Sequence, residues 1–347
     1  MSQNIVVLPG DGVGPEVAAA ACQALEAVAA RFDLALSFKD YLFGGCAIDA
    51  TGEPLPADTL DACRGADAIV LGAVGGPKWG VGKVRPEAGL LSLRAELNLF
   101  ANLRPVKVHP ALAAFSPLKA ERIKDVDILI LRELTGGLYF GKKTRVRDTA
   151  SDVCAYSRFE IVRAAKVAFE AARTRRGHVT SIDKANVLES SRLWRETVTA
   201  LHARDYLDVG LRHELVDSAA MKLITHPGDY DVVLTENLFG DILSDECSVL
   251  AGSIGLLGSA SLGAGKAGLY EPIHGSAPDI AGQGIANPVG AMMSAAMALR
   301  HSLGAVDAAN ALEQAIHAAL ADGARTRDLG GDLGTKEMTA AVLQKLD

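Results

Sequence analysis

Residues 5–32, IVVLPGDGVGPEVAAAACQALEAVAARF, place a strand, a tight turn and a helix in direct succession. The apolar run at residues 5–8 predicts a buried strand, and Gly14 followed by Pro15 predicts a helix start, where proline is tolerated in the first turn. Apolar residues then recur at helical spacing and predict a stripe that packs on a sheet: Val17, Ala21, Leu25, Val28 and Phe32. Short apolar runs and helical patterns keep alternating along the chain, so the sequence predicts an α/β protein.

The other elements of this alternation follow from the same periodicities. Further strands are predicted at residues 34–38, 68–71, 127–131, 179–183, 211–217 and 232–235. Further helices are predicted at residues 87–97, 158–173, 191–201, 240–253, 288–301, 306–321 and 335–346. A length of 347 residues exceeds that of a typical domain, so two domains are expected, although no linker in the sequence marks their boundary.

Charge and cysteine content exclude several classes of protein. The chain has 35 Lys and Arg against 42 Asp and Glu, a net charge of −7, which argues against general affinity for nucleic acid or an anionic membrane. Five scattered cysteines without a CxxC pair, and no secretory signal pattern, predict reduced thiols and a cytoplasmic location. Two charge-free stretches, residues 247–265 and 280–299, contain interrupting Gly, Ser, Asn or Pro and are not predicted to span a membrane.

The predicted helix GDILSDE (residues 240–246) carries Asp241 and Asp245 one turn apart on one face. No Lys or Arg occurs from residue 223 to residue 265, so these acids have no counterion nearby in sequence, and like charges at this spacing destabilise a bare helix. Carboxylates without His or Cys are ligands that suit Mg²⁺ or Mn²⁺ better than Zn²⁺. The pattern favours a divalent metal site, and a solvated acidic face is the alternative.

A second helix, PEAGLLSLRAEL (residues 86–97), places a mixed set of side chains on one face: Glu87, Leu90, Leu91 and Arg94. This face suits a ligand that combines a carboxylate with a branched alkyl group. An amphipathic helix whose arginine extends to water explains the spacing equally well. Arg104 and Arg132, near the ends of predicted elements, are further candidates for bidentate binding of carboxylates.

Two glycine-rich segments are candidates for cofactor binding. GDGVG (residues 10–14) follows a strand and precedes a helix, but its third glycine lies out of the GxGxxG register, so a tight turn explains it equally well. HGSAPDIAGQGIANP (residues 274–288) is the better candidate, because its glycines allow a ligand to approach the backbone. Asp279 in this segment would bind ribose hydroxyls and repel a 2′-phosphate, which favours NAD over NADP.

Eight segments in fixed order resemble the β-decarboxylating dehydrogenases, the family of isocitrate and isopropylmalate enzymes. They are GDGVGPEV (10–17), GGPKWG (75–80), GLLSLRAELNLFANLRP (89–105), LRELTGGLYFG (131–141), DKANVL (183–188), LFGDILSDE (238–246), GSASLG (258–263) and HGSAPDIAGQGIANP (274–288). The resemblance implies a two-domain α/β fold, with a mixed sheet flanked by helices, and not a GxGxxG Rossmann domain. It assigns residues 1–99 and 252–347 to a cofactor-binding domain and residues 100–251 to a central domain with a homodimer interface and the metal-site carboxylates.

The resemblance also implies roles for individual residues. The expected catalytic residues are Lys184 as base and Tyr139 as acid, and the expected ligands of Mg²⁺ or Mn²⁺ are Asp217, Asp241 and Asp245. The expected substrate-binding residues are Arg94, Arg104, Arg132, Asp217, Leu90, Leu91, Glu87 and Val187. The expected cofactor-binding residues are Gly275, Ser276, Ala277, Asp279, Ile280, Asn287, Asn186 and His274. Lys184 and Asp217 would both serve the active site of the neighbouring subunit.

Local differences within the family narrow the expected reaction. Members that act on isocitrate carry a serine-asparagine type of sequence at residues 87–91, and members that use NADP carry a lysine-tyrosine pair at the positions of Asp279 and Ile280. The resemblance therefore implies NAD-dependent oxidative decarboxylation of a malate with a 3-isopropyl group, in leucine biosynthesis. The alternative is a sister enzyme that acts on homoisocitrate or tartrate.

Two other classes are less favoured, and two departures from the family are noted. A phosphoryl transferase is less favoured because the sequence contains no GxxxxGK[ST] loop. A non-catalytic subunit is less favoured because Tyr139 and Lys184, the expected catalytic residues, are intact. The segment at residues 79–85 is shorter than in relatives, and Gly258 stands where many relatives carry proline. Neither departure touches an expected catalytic residue.

Overall fold

The computed structural model describes residues 2–80 and 84–346. The strands are β1 (Gln3–Gly10), β2 (Leu36–Asp40), β3 (Ala68–Ala73), β4 (Ala101–Lys107), β5 (Asp127–Glu133), β6 (Lys143–Val146), β7 (Thr149–Asp152), β8 (His178–Asp183), β9 (Gly210–Leu215), β10 (Val232–Thr235), β11 (Gly258–Leu262) and β12 (Leu269–Pro272). The α-helices are α1 (Gly14–Arg31), α2 (Gly45–Thr51), α3 (Ala57–Arg64), α4 (Pro86–Glu96), α5 (Ala120–Ile123), α6 (Gly137–Phe140), α7 (Arg158–Arg173), α8 (Glu189–Asp205), α9 (Val216–Thr225), α10 (Asn237–Ser248), α11 (Val289–His301), α12 (Val306–Ala321) and α13 (Thr335–Leu343).

The chain forms two compact units, and the first consists of residues 1–99 and 253–347. Its strands lie in the order β2-β1-β3-β12-β11, all parallel except the antiparallel pair β11 and β12. Helices α1 and α11 pack on these strands. Helix α1 has Pro15 in its first turn and buries Val17, Leu25 and Val28, as the predicted apolar stripe requires.

The second unit consists of residues 100–252. Its strands lie in the order β4-β5-β10-β8-β9, with β4 antiparallel to β5 and the other neighbours parallel. Because β5, β10 and β8 run in the same direction, their carboxyl ends lie at one edge, where ligands bind in open α/β sheets. Arg132 lies at the end of β5, Lys184 follows β8, and α10 begins two residues after β10. Helices α7, α8 and α10 pack against these strands, and β6 and β7 form a separate exposed hairpin.

The predicted fold class is confirmed, because both units contain helices packed on strands of a mixed sheet. Several predicted boundaries differ from the observed ones, and those of β9 and α10 bear on the site. Strand β9 ends at Leu215, so Asp217 lies in the first turn of α9, where a carboxylate interacts favourably with the helix dipole. Helix α10 begins at Asn237, where the Glu236 side chain accepts from the Phe239 N–H, and it ends at Ser248 in place of the predicted residue 253.

The two charge-free stretches fold as helices, turns and a strand, and most of their residues are buried. Residues 247–265 contain the end of α10, two 3₁₀ turns and β11, and residues 280–299 lead into α11, whose residues are mostly buried. None of the helices within the described part of the chain is long and apolar enough to cross a membrane. All five cysteines carry free thiols.

Candidate active site

Arg132, Tyr139 and Asp241 form one cluster in the second unit. Arg132 is 2% exposed, and its Nη1 donates to Asp241 Oδ1. Tyr139 Oη donates to Asp241 Oδ2 at 2.6 Å, and the guanidinium carbon of Arg132 lies 5.4 Å from the centre of the Tyr139 ring. Three of the residues expected from the sequence, on β5, α6 and α10, therefore meet around a single carboxylate.

Arg104 reaches the same acidic face from β4. Its Nη1 donates to Ser244 Oγ at 2.7 Å and to Asp245 Oδ1 at 3.2 Å, and its Nη2 lies 3.7 Å from Asp241 Oδ1. The expectation that these acids lack a nearby counterion holds only along the sequence. In space, Arg104 and Arg132 are their counterions, so the α10 face is a mixed site of two carboxylates and two guanidinium groups.

The carboxylates of Asp241 and Asp245 are a suitable donor set for a hard divalent ion. They lie one turn apart on α10, and their side chains are partly exposed. Within the described residues of one chain, no group of three or more His, Cys, Asp or Glu side chains could hold a metal ion. Asp217 therefore does not join Asp241 and Asp245 in the same chain.

Lys184 and Asp217 form a second cluster in this unit. Lys184 Nζ donates to Asp217 Oδ1 at 2.6 Å, and this bond lowers the pKa of the Asp217 carboxyl. The loop that carries Lys184 is fixed by the buried Asp183, whose carboxylate accepts from the Ala185 N–H and from two nitrogens of Arg195. The expected base and one expected metal ligand thus lie together.

The acid–base state of Tyr139 is set by its surroundings. Burial and the hydrogen bond to Asp241 raise the pKa of Tyr139 to about 12, against the opposite effect of Arg132. The phenol is therefore protonated at neutral pH and can act as a proton donor. Partial desolvation and the neighbouring Asp241 raise the pKa of Asp245, and Arg104 opposes this.

The predicted ligand face of α4 lies in the first unit. Glu87 is exposed, Leu90 and Leu91 are half-buried, and Arg94 is 6% exposed. Arg94 Nη2 donates to Glu271 Oε1 at 2.9 Å, and its buried Nε has no partner among the described residues. The alternative that Arg94 extends to water is therefore wrong.

The segment at residues 274–288 lines a pocket of about 550 Å³ in the first unit. Five expected cofactor residues line it: His274, Gly275, Ala277, Ile280 and Asn287. Burial lowers the pKa of His274, and within the described chain its buried Nε2 has no hydrogen-bond partner, so a polar group remains available to a ligand. Ser276 and Asp279 lie beside this lining without forming part of it, and Asn186 and Val187 are exposed in the second unit.

The GDGVG turn supports this pocket. The Val13 N–H donates to the Ser276 carbonyl at 2.8 Å, and Val13 itself lines the pocket. Gly12 has a φ of +61°, and a Cβ atom there would lie 1.9 Å from the Ser276 oxygen. The turn therefore packs directly against the predicted cofactor segment.

Gly12→Ala is expected to destabilise the first unit by roughly 2–4 kcal/mol, because the new methyl group collides with the Ser276 carbonyl. Gly52→Ala is the matched control, since Gly52 has a φ of +86° but no atom within 4 Å of the added Cβ. The control should lose only about 1–2 kcal/mol, the cost of the left-handed backbone. Urea unfolding measures both, and equal losses would contradict the close packing of Gly12 on Ser276.

Several residues that shape the site were missed from the sequence. Asn102 Oδ1 accepts from Arg104 Nε at 2.8 Å, Asn237 Oδ1 accepts from Arg132, and Glu271 binds Arg94. Only Asn237 carried a signal, because it lies two residues after the end of the strand predicted at residues 232–235. Glu271 lies 177 residues from Arg94, and Asn102 pairs with Arg104 along β4, a strand that was not predicted, so periodicity reveals neither contact.

Of the two departures noted in the sequence, the structure describes Gly258 fully and the short segment at residues 79–85 only in part. Residues 81–83 of the short segment lie outside the described residues. Gly258 begins β11 where α11 passes close by, and a Cβ atom there would lie 2.6 Å from the Ser294 nitrogen. Glycine at this position therefore permits the close packing of α11.

Comparison with known proteins gives consistent matches over the chain. The family model described as isocitrate/isopropylmalate dehydrogenase matches residues 4–342. A 3-isopropylmalate dehydrogenase of Anaeromyxobacter dehalogenans is 58% identical over all of both chains, and one of Oceanobacillus iheyensis is 54% identical over 100% of this chain and 96% of its own. Among solved structures, isocitrate dehydrogenase from Methylococcus capsulatus has a TM-score of 0.90 at 34% identity, covering 99% of each chain. A beta-decarboxylating dehydrogenase from Thermococcus kodakarensis has a TM-score of 0.83 at 36% identity, covering 99% of this chain and 96% of its own.

Proposed function

The chain belongs to the isocitrate/isopropylmalate dehydrogenase family, and from this premise we propose that it oxidatively decarboxylates 3-isopropylmalate. The (2R,3S) substrate yields 4-methyl-2-oxopentanoate and CO₂ with reduction of NAD⁺, a step of leucine biosynthesis in the cytoplasm. The observation that carries the proposal is the convergence of Arg132 and Tyr139 on Asp241. Relatives of 58%, 54% and 53% identity are named for this substrate, so homoisocitrate and tartrate are not favoured.

The proposed substrate ligands match a dicarboxylate with a branched side chain. Arg94, Arg104 and Arg132 supply guanidinium groups that bind carboxylates in bidentate fashion. Leu90 and Leu91 supply apolar surface for the isopropyl group, with Glu87 and Val187 as further contacts. Profiling of kcat/KM over 3-isopropylmalate, isocitrate and tartrate tests this assignment, and equal values for isocitrate would reject it.

A nicotinamide cofactor and a divalent metal follow from the family, and we assign NAD and one Mg²⁺ or Mn²⁺ per site. Asp241 and Asp245 of one subunit would hold the ion with Asp217 of the second. The ribose of NAD would lie at Asp279, with its other contacts along residues 274–288. When bound, the nicotinamide accepts the hydride and the ion acts as a Lewis acid towards developing negative charge.

The protein residues handle the protons of the reaction. Lys184 Nζ takes the proton of the substrate hydroxyl, directly or through water, as the carbinol is oxidised to a ketone. The β-keto acid then loses CO₂, and Tyr139 returns a proton to the carbon that carried the carboxylate. The position of Tyr139 supports this assignment, because its Oη lies 2.6 Å from Asp241 Oδ2, a proposed metal ligand, and beside Arg132.

Asp279→Asn is expected to weaken the preference for NAD⁺ over NADP⁺ by about tenfold, equivalent to about 1.4 kcal/mol. The exposed Asp279 carboxylate would bind the ribose hydroxyls and repel a 2′-phosphate, and the amide removes that repulsion. Asp307→Asn, which removes an exposed acid of the same unit on α12, is the control and should leave the preference unchanged. The measurement is kcat/KM for each cofactor, and an unchanged ratio in Asp279→Asn would refute the assignment.

We propose that the active enzyme is a homodimer with shared active sites. This is supported by the separation, within one chain, of the Lys184–Asp217 pair from Asp241 and Asp245. Large apolar side chains are also exposed on α9 and α10, and a second subunit would cover them: Met221, Ile224 and Ile242.

Mixing two inactive variants should restore activity if the sites are shared. In a mixed dimer of Lys184→Ala and Arg94→Ala, one site keeps both intact residues, so random exchange should restore roughly a quarter of wild-type activity. Mixing Lys184→Ala with Asp217→Ala should restore none, because both residues would serve the same site. Activity is measured after subunit exchange, and no recovery in the first mixture would contradict shared sites.

A further inference from the structure

We infer that Asn237 is a positioning residue that holds Arg132 and the turn carrying Tyr139 in a single arrangement. The inference deepens the proposed function and rests on it. Asn237 is 1% exposed, begins α10, and lies four residues before Asp241. It contacts no proposed reacting atom, so it acts through the residues that it binds.

Asn237 binds the side of Arg132 that faces away from Asp241. Arg132 Nε donates to the Asn237 carbonyl at 2.9 Å and to Oδ1 at 3.1 Å, and Nη2 donates to Oδ1 at 2.8 Å. Three hydrogen bonds therefore fix the orientation of the guanidinium plane. The remaining Nη1 points to Asp241, on the side where the substrate carboxylate is expected.

Asn237 also fixes the turn before Tyr139, through its side chain and its backbone N–H. Asn237 Nδ2 donates to the Gly136 carbonyl at 3.2 Å, and the Asn237 N–H donates to Tyr156 Oη at 3.0 Å. The Tyr156 ring lies against this turn, since a Cβ atom on Gly136 would lie 2.5 Å from its Cε1. Gly136 lies three residues before Tyr139, so a shift of the turn would move the phenol.

These hydrogen bonds form a closed ring of contacts that links Arg132, Asp241, the turn from Gly136 to Tyr139, and Asn237. Arg132 and Tyr139 both donate to Asp241 on one side, and Arg132 and the Gly136 turn both bind Asn237 on the other. Removing the Asn237 side chain would break its Oδ1 bonds to Arg132 and its Nδ2 bond to the Gly136 carbonyl, while the backbone bond from Arg132 Nε and the bonds to Asp241 remain. The guanidinium plane of Arg132 and the turn before Tyr139 would then be less firmly oriented.

A neutral amide suits this position because its oxygen accepts hydrogen bonds without adding negative charge. A carboxylate in the same place would pair with Arg132 and reduce its attraction for a dianionic substrate. Arg104 is held in the same way, with its Nε donating to Asn102 Oδ1 at 2.8 Å. Both proposed anion-binding arginines of this unit are therefore oriented by asparagines.

Capping of α10 does not require the Asn237 side chain. The Glu236 side chain accepts from the Phe239 N–H at 2.7 Å and so caps the helix. A merely structural role would lower the melting temperature of an Asn237 variant without a selective effect on substrate binding. The two roles therefore predict different kinetics.

The test uses Asn237→Ala, the isosteric Asn237→Asp, and Arg132→Lys in the full-length protein. Both Asn237 variants should raise the KM for 3-isopropylmalate about tenfold or more, while the KM for NAD⁺ changes less than about twofold. The double variant Asn237→Ala with Arg132→Lys should have a kcat/KM close to that of the worse single variant, because the two residues act as a unit. Multiplicative losses, or a changed melting temperature with unchanged KM, would overturn the inference.

A matched control and a second readout complete the experiment. Asn310→Asp changes another amide whose Oδ1 accepts from an arginine, Arg300 at 3.0 Å, and should leave both KM values unchanged. Arg132 Nη2 donates to the Asn237 side chain, whereas Nε also donates to the backbone carbonyl that Asn237→Ala keeps. The Nη2 hydrogens of Arg132, assigned by the loss of their resonance in Arg132→Lys, should therefore exchange slowly with water in the wild type and quickly in Asn237→Ala. Without turnover by the wild type, the proposed function fails, but this exchange still tests the positioning. Equal exchange rates in both proteins would overturn it.

Discussion

Lys184→Ala is expected to lower kcat by about 10²–10⁴-fold, the usual contribution of a general base. Lys184 follows β8 and binds Asp217 at 2.6 Å, and no other proposed catalytic group would accept the hydroxyl proton. Lys184→Arg should be similarly inactive, because arginine keeps the positive charge and the ion pair but does not lose its proton near neutral pH. Steady-state kcat measures both variants.

The matched control for Lys184 is Lys345→Ala. Lys345 binds Asp322 at 2.5 Å, and the partly exposed lysine pairs with a similarly exposed acid. Its loss should leave kcat unchanged, since an exposed ion pair contributes little to stability. Lys184→Arg with wild-type kcat would show that Lys184 is not the base.

Asp241→Asn should lower kcat/KM by roughly 10²–10³-fold, because Lewis-acid stabilisation is worth several kcal/mol. Asp241 accepts from Arg132 and Tyr139 and is also a proposed metal ligand, so the amide disturbs three functions at once. The variant should also need a higher Mg²⁺ concentration for half-maximal activity. The measurement is a Mg²⁺ titration of the rate.

Asp229→Asn is the control for this experiment. Asp229 is an exposed acid in the same stretch without Lys or Arg, and its loss should alter neither the rate nor the Mg²⁺ requirement. An Asp241→Asn enzyme with a wild-type Mg²⁺ requirement would contradict the metal assignment.

Local signals predicted the elements that have strong periodicity or caps. Helix α7 was predicted at its observed bounds, and in the structure Ser157 and Glu160 form a capping box that fixes its start. Strands β4, β11 and β12 were missed, since ANLRPVK and GSASL contain proline, arginine or small residues in place of β-branched runs. Their pairing depends on neighbours that are distant in sequence.

The candidate site was predicted to a similar extent. The shared face of Asp241 and Asp245 follows from a spacing of four residues. The pairing of these acids with their counterions does not follow from the sequence, because Arg104 lies 141 residues before Asp245 and Arg132 lies 109 residues before Asp241. The same holds for Asn237, whose role depends on side-chain hydrogen bonds to β5 and the Gly136 turn.

The most direct test of the central claim is the appearance of NADH when the protein is mixed with 3-isopropylmalate, NAD⁺ and Mg²⁺. We expect the absorbance of NADH to rise, to stop rising when EDTA removes the metal, and to rise more slowly with isocitrate. NADP⁺ in place of NAD⁺ should give a much lower rate. No NADH from 3-isopropylmalate in the presence of Mg²⁺ or Mn²⁺, or an equal rate with isocitrate, would contradict the proposed function.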